Sequence, residues 1–345
     1  MLKAAVLGAT GMVGQIFIQL LNRHPWFEVS AVAASERSTG LKYSEVAKWK
    51  LPTPIPEDVA DLEVLEINPK EVKDVDLVFS ALPADVAEKA EEDFAKAGCV
   101  VVSNASSHRM DPDVPLLNPE ANYDHISLIE QQRKKRKWSG AIVTNANCST
   151  AVLSLPLKPI DTEFGIKRVI VSTMQALSGA GYPGVASLDI VDNVIPFIQN
   201  EEEKMQRETQ KILGAPSKPA SFEVSASCHR VAALDGHLEA VFVELKHEAE
   251  PESVVDAFER FVGEPQKLEL PTAPPKPIVV RREEDRPQTR LDRMEGRGMS
   301  VVVGRVRNDP VMKGVKFIAL GHNTIRGAAG CGILNAECLK AKKYI

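Results

Sequence analysis

The chain has 345 residues, 44% hydrophobic and 26% charged, enough for two domains with real cores and unlike a disordered or collagen-like composition. Its formal net charge of -5 argues against a nucleic-acid surface, and no apolar run approaches the roughly 20 residues that span a bilayer. Five cysteines without a CxxC pair fit reduced thiols in a soluble, cytoplasmic protein, and seven histidines without zinc-ligand spacing predict no structural metal.

In chain order, Leu2 to Leu7 reads as a buried parallel strand, Gly8 to Gly14 as a tight turn, and Gln15 to Asn22 as a helix with Ile16, Leu20 and Leu21 on its apolar side. Strands follow at Glu28 to Ala34, at 75–82 (VDLVFSAL) and at 99–106 (CVVVSNAS), with a helix from Ala84 to Lys96 between the last two. This alternation predicts a doubly wound, Rossmann-type parallel sheet that binds ligands at the carboxyl ends of its strands. The basic run from Gln131 to Trp138 follows a helical stretch and reads as a solvated helix end.

Beyond residue 150 the strands lengthen, at 166–177, 224–234 and 237–246, and 301–307 and 313–320 have the pattern of antiparallel neighbours. The expected organisation is a dinucleotide-binding domain over 1–150, completed by a terminal helix within 321–345, and an α+β catalytic and dimerisation domain over 151–320. The Pro- and charge-rich stretch from Glu264 to Arg297 reads as an extended excursion at the surface or at a subunit interface of a homodimer or homotetramer.

Two motifs carry chemistry. The first is Gly8-Ala9-Thr10-Gly11-Met12-Val13-Gly14, placed between the first strand and the first helix. Its glycines permit close backbone approach, and the helix that follows offers free N–H groups to a pyrophosphate. At the end of the second strand stands Ser35-Glu36-Arg37-Ser38: an acid there suits a ribose diol, whereas Ser35, Arg37 and Ser38 suit a 2′-phosphate, which favours NADP over NAD. The second motif is Asn145-Ala146-Asn147-Cys148-Ser149-Thr150, a cysteine set among polar residues at the start of a helix. Unpaired N–H groups at such a position lower a thiol pKa and form an oxyanion hole, so Cys148 is expected to be a nucleophile. Cys99, Cys331 and Cys338 read instead as packing residues.

The strings GATGMVG (8–14), SNASSHRMDPDVPLLNPE (103–120), TNANCST (144–150), QALSGAGYPG (175–184), DNVIPFIQNEEEKM (192–205), HRVAALDGH (229–237) and HNTIRGAAG (322–330) span nearly the whole chain. In this order they resemble the archaeal and fungal branch of the aspartate-semialdehyde dehydrogenases. The resemblance implies reversible conversion of L-aspartyl 4-phosphate and NADPH to L-aspartate 4-semialdehyde, phosphate and NADP. That reaction leads to lysine, threonine, methionine and isoleucine, and it passes through a thioester on the cysteine.

Residue by residue, the resemblance implies that Cys148 attacks, that His237 is the acid/base near its working pKa, and that Gln175 orients the substrate beside the sulfur. Arg230 would clamp the α-carboxylate and Glu201 the ammonium, with Glu202 as the alternative register. Arg109 and Lys204 would bind the phosphate, with Asn104 as a neutral donor. Ser178, Gly179 and Asn323 would contact the nicotinamide half of the cofactor, whereas His229, of opposite strand parity to Arg230, would point away. The nearest rival is malonyl-CoA reductase, a relative with a thioester substrate whose strings differ at the Asn before the cysteine and at SNASS. A dinucleotide sensor without catalysis would require the catalytic set to be missing. One departure is Cys331, which stands where a small residue such as glycine is expected.

Overall fold

Short, mostly buried apolar runs have little solvent face to present, and here they assemble into one parallel sheet. In this computed structural model, which describes residues 1–345, the strands are β1 (Leu2–Leu7), β2 (Phe27–Ala33), β3 (Val64–Leu65), β4 (Leu77–Ser80), β5 (Val100–Ser103), β6 (Leu116–Leu117) and β7 (Ala141–Asn145). Their order is β3-β2-β1-β4-β5-β7-β6, and every pairing is parallel. Strand order reverses between β1 and β4, which opens the crevice where such sheets bind ligands. Gly8, at φ +73°, stands at that point, and a Cβ on it would lie 2.6 Å from the Ala81 carbonyl oxygen. Only glycine fits there.

Seven helices have nine residues or more: α1 (Met12–Leu21), α2 (Ala84–Lys96), α3 (Leu128–Arg136), α4 (Cys148–Phe164), α5 (Glu201–Leu213), α6 (Pro251–Arg260) and α7 (Gly330–Ala341). The basic run ends α3, where Arg136 pairs with Asp111 and Asp113 and so braces the loop after β5. No helix is long and apolar enough to cross a membrane.

The second sheet contains β8 (Ile166–Gln175), β9 (Glu223–Arg230), β10 (His237–Leu245), β11 (Ile278–Arg281), β12 (Val301–Asn308) and β13 (Gly314–Gly321), in the order β11-β12-β13-β10-β8-β9. Burial alternates residue by residue along β10, with His237 and Glu239 on the covered face, as expected of a sheet with one face in the core. β12 and β13 pair antiparallel as the sequence pattern requires. The expected strand at 224–234 stops at Arg230. Residues 231–236 turn instead, and the Ala233 and Leu234 carbonyls accept from Leu177 and Ser178 N–H.

The stretch from Glu264 to Arg297 is more than an extended excursion. Ile278–Arg281 forms a parallel edge strand on β12, and Leu270 packs into the first core. The buried Asp292 holds Arg281 and Arg286 together. Prolines precede the IVV triplet, yet the free edge of β12 supplies ladder partners that no local pattern reveals. The terminal segment crosses back to the first domain. A π-helical turn, Ile325–Ala329, leads into α7, whose Ile333, Leu334 and Leu339 share a core cluster with Phe17 and Phe79. Asn335 donates to Asn145 Oδ1 at 2.7 Å, and buried His24 bonds Glu337 at 2.8 Å.

Candidate active site

Cys148 opens α4, and the residue before it fixes that start. Asn147 Oδ1 accepts from the backbone N–H of Ser149 (2.9 Å) and Thr150 (3.2 Å), the arrangement by which an N-cap side chain satisfies free helix donors. Two carboxylates from α5 hold the cap itself: Glu201 accepts from Asn147 Nδ2 at 2.9 Å, and Glu208 accepts from the Asn147 main-chain N–H at 2.6 Å. Being seven residues apart, they lie on one face of their helix. Glu202 turns outward to the Cys228 N–H, so Glu201 is the member of the acidic run that faces the cysteine.

His237, the first residue of β10, is fully buried and sets Nε2 3.1 Å from Cys148 Sγ. Its Nδ1 accepts from the Ala176 N–H at 3.1 Å, which in the neutral ring leaves the proton on Nε2, facing the sulfur. Burial drives its pKa down to about 3, and the charges of Arg230 and His322 add to the effect. Burial likewise pushes the Cys148 thiol up to about 12; Glu201 adds to the rise, while Arg109, Arg230 and the Ser149 N–H oppose it. These two shifts correct the expectation of a lowered thiol pKa and of an imidazole near its working range. Desolvation of both groups outweighs the helix N-terminus, so in the free protein the pair is neutral.

Arg230 ends β9, in register with Gln175 at the end of β8. Both are buried; Arg230 Nη1 donates to the Ala176 carbonyl at 2.7 Å, and Gln175 Nε2 donates to Thr173 Oγ1 at 3.3 Å. His229 turns the other way and reaches the Thr173 carbonyl. Over Arg230 and His237 runs Gly179, where a Cβ would lie 2.8 Å from Arg230 Nη1 and 3.0 Å from His237 Cε1. Beside it, Asn323 donates to Ser178 Oγ at 2.8 Å and accepts from the Gly236 N–H at 2.8 Å. Gly327 of the π-helical turn closes another side: a Cβ there would come within 2.6 Å of Cys148 Cβ.

Arg109 sits on the loop after β5. Its Nη1 donates to Glu208 at 3.0 Å and its Nη2 to the Asn104 carbonyl at 2.9 Å, while its buried Nε has no partner. Asn104 Oδ1 accepts from Asn145 at 3.3 Å. Beneath this loop, the Lys211 ammonium donates to the carbonyls of Arg109 (2.7 Å), Asp111 (2.8 Å) and Val114 (2.9 Å), with its pKa brought down to about 8 by burial. Lys204 is half-buried on α5 and makes no ion pair.

The crevice between β1 and β4 opens into a cavity of about 1030 Å³ lined by Gly8, Thr10, Gly11, Ser35 and Arg37, among others. Met12 and Val13 do not line it but form the first positions of α1, and Ser38 does not line it either. Ser178, Gly179 and Asn323 stand apart from it, beside His237. No acidic residue occupies the first turn of α1 and no side chain caps it, so its free N–H groups suit an anion. The residues present therefore fit a dinucleotide with its phosphates on the glycine turn. No cluster of His, Cys, Asp and Glu able to hold a metal is found.

The sequence matches the semialdehyde dehydrogenase NAD binding domain over residues 3–129 and the semialdehyde dehydrogenase dimerisation domain over residues 157–326. The chain belongs to the semialdehyde dehydrogenase family. It is 56% identical over 344 residues to the aspartate-semialdehyde dehydrogenase of Methanothermobacter thermautotrophicus, covering 98% of this chain and 99% of the relative. The crystal structure of the Candida albicans aspartate-semialdehyde dehydrogenase with NADP superposes with a TM-score of 0.93 at 43% identity, covering 100% of both chains. A malonyl CoA reductase (NADP) of Metallosphaera sedula is 44% identical over 353 residues, covering 100% of this chain and 98% of the relative.

As a semialdehyde dehydrogenase, the chain is an enzyme whose first domain binds a nicotinamide dinucleotide. Three contributors to its site escaped the motifs: Glu208, Lys211 and the cap role of Asn147. A signal existed for the first, since position 208 repeats the Glu201 face two turns on.

Proposed function

We propose that this semialdehyde dehydrogenase acts on the aspartyl substrate, interconverting L-aspartyl 4-phosphate and L-aspartate 4-semialdehyde with NADP(H), at a site formed where residues 1–150 and 321–345 meet residues 151–320. The observation that carries the reading is the pair of opposite charges acting on Cys148, Arg230 and Glu201, both buried within reach of the sulfur's field. An α-carboxylate and an ammonium on one substrate satisfy both. A malonyl thioester has no ammonium and would leave Glu201 facing an anion, which disfavours that substrate.

In the biosynthetic direction, Arg230 holds the carboxylate as a fork and Glu201 the ammonium, while Gln175 sets the carbonyl beside the sulfur. Arg109, Lys204 and Asn104 hold the phosphoryl group. Cys148 attacks the acyl carbon, its thiol proton passes to the departing phosphate, and a thioester forms. NADPH supplies the hydride that reduces it. With a proton taken up from solvent, His237 acts as acid toward the carbonyl oxygen as the hydride arrives, its Nε2 facing the sulfur. Collapse of the thiohemiacetal returns that proton to the ring and releases the thiolate, and proton transfer from ring to sulfur restores the neutral pair. Gly8, Thr10 and Gly11, with Met12 and Val13 opening α1, support the pyrophosphate; Ser35, Arg37 and Ser38 support the 2′-phosphate; Ser178, Gly179 and Asn323 support the nicotinamide half.

The dimerisation-domain match and the half-exposed Ile170 on the outer face of the second sheet support a homo-oligomer. The free cysteines support a cytoplasmic setting. The test is a rate comparison: aspartate semialdehyde, phosphate and NADP against malonyl-CoA and NADPH, each repeated with the NAD couple. The first mixture should turn over fastest. Faster reduction of malonyl-CoA overturns the substrate assignment.

A further inference from the structure

Every polar contact of Glu208 leads to the site, yet none of the motifs points to it. One carboxylate oxygen accepts from Arg109 Nη1 at 3.0 Å and the other from the Asn147 backbone N–H at 2.6 Å. Glu208 is 2% exposed and Arg109 7% exposed, so water does not replace either partner. Lys211, one turn further along α5, grips the Arg109 loop by three carbonyls and keeps helix and loop in fixed register.

We propose that Glu208 is a positioning residue that couples the phosphate-binding cation to the nucleophile, by tying Arg109 to the backbone of Asn147, the cap of the Cys148 helix. The proposal rests on the reading of Arg109 as a phosphate ligand in the reaction above. Asn147 sets where α4 begins and so where the sulfur stands. Glu208 satisfies Asn147 only while its own charge is balanced. A buried carboxylate stripped of its cation is strongly disfavoured and turns away toward other charge or solvent, and the Asn147 N–H then loses its acceptor. Occupation of Arg109 by a phosphate dianion is therefore felt at Cys148.

The test uses a half-reaction in which phosphate takes no part. Aldehyde, Cys148 thiol and NADP give thioester and NADPH: the carbon–sulfur bond forms, hydride passes to NADP, and one proton leaves to solvent. A rapid-mixing burst of NADPH without phosphate reads this step alone. Arg109→Met should slow the burst about 10-fold or more, because misplacing reacting groups by about 1 Å costs on the order of 10²-fold. Adding Glu208→Gln removes the stranded charge and should recover at least about threefold of that loss, while the KM for phosphate in full turnover stays raised.

A wild-type burst rate in Arg109→Met, or a double variant no faster than the single one, overturns the coupling. If aspartate semialdehyde gives no burst in the wild type, the proposed reaction itself fails and the coupling with it. A second measurement covers an Arg109→Met that does not fold. Inorganic phosphate should change the alkylation rate of Cys148 in the wild type and leave Glu208→Gln unaffected; an equal response in both proteins counts against the proposal.

Discussion

The two halves of the site are built in opposite ways. The crevice between β1 and β4 is wide, lined by exposed side chains such as Ser35 and Arg37, and shaped by backbone that only Gly8 permits. The corner around Cys148 is narrow, and its groups bond one another: Asn147 to Glu201 and Glu208, Glu208 to Arg109, His237 to the sulfur. A ligand that is bound and released in every cycle suits the first design. A nucleophile whose placement decides the rate suits the second. The contrast implies that substitutions in the corner damage turnover and spare cofactor affinity, whereas substitutions in the crevice do the reverse.

The largest expected effect is that of Cys148→Ser, which removes the sulfur that carries the thioester. Turnover should vanish while NADPH binding, followed by fluorescence titration, stays near the wild-type level. More than a few per cent residual activity would sink the thioester mechanism. His237→Asn comes next, with a loss of roughly 10²–10⁴-fold in kcat, the range for a lost acid–base group. A change confined to KM would contradict it.

Arg230→Lys keeps the charge and loses the fork. It should cost on the order of 10²-fold in kcat/KM and most of the preference for aspartate semialdehyde over an analogue without the α-carboxylate. Equal discrimination by both enzymes would remove Arg230 as the carboxylate reader. In the crevice the smallest effect is expected: Arg37→Ala should weaken NADPH by about the 10-fold that 1.4 kcal/mol of lost charge-assisted bonding gives, and NADH hardly at all. Equal losses would make Arg37 structural.

The corner also predicts a pH effect on stability. His237 has a folded pKa of about 3, below its ordinary value of about 6.5, because burial resists the charge. Between these values the unfolded chain takes up a proton that the folded chain refuses, so folding weakens as pH falls. The slope from this one group is about 1.4 kcal/mol per pH unit at most. Denaturant midpoints from pH 6.5 to pH 4 should therefore fall less steeply in His237→Asn than in the wild type. Parallel slopes would mean that the ring is not held neutral.

How much of this was legible depended on sequence distance. The strand, turn and helix around Gly8 were readable because a few adjacent residues dictate them, and the structure begins and ends β1 where the apolar run does. Cys148 stood out because a polar string at a helix start is also local. Glu208 was not legible: its partners lie 99 and 61 residues away, and nothing near it marks a buried acid apart from its spacing from Glu201. The thiol and imidazole pKa values are not legible from local sequence for a similar reason, since the segments that enclose them come from β8, β10 and the turn at Gly327. Ile278–Arg281 looked like part of a loop because its pairing partner, β12, is still ahead in the chain.

The return of α7 to the first core orders events during synthesis. Residues 2–145 contribute all seven strands of the parallel sheet, but Ile333, Leu334 and Leu339 complete the apolar cluster that covers it, and Asn335 completes the hydrogen bonding of Asn145. A ribosome adding roughly 5–20 residues per second reaches those positions on the order of ten seconds or more after β7 has emerged. Over that interval the second domain gains its strands in turn, the last of them, β13, just before α7, while the first still exposes the groove meant for α7. The nascent chain thus finishes the half it began last before the half it began first, and a holdase that shields an amphipathic groove would find its substrate in that window.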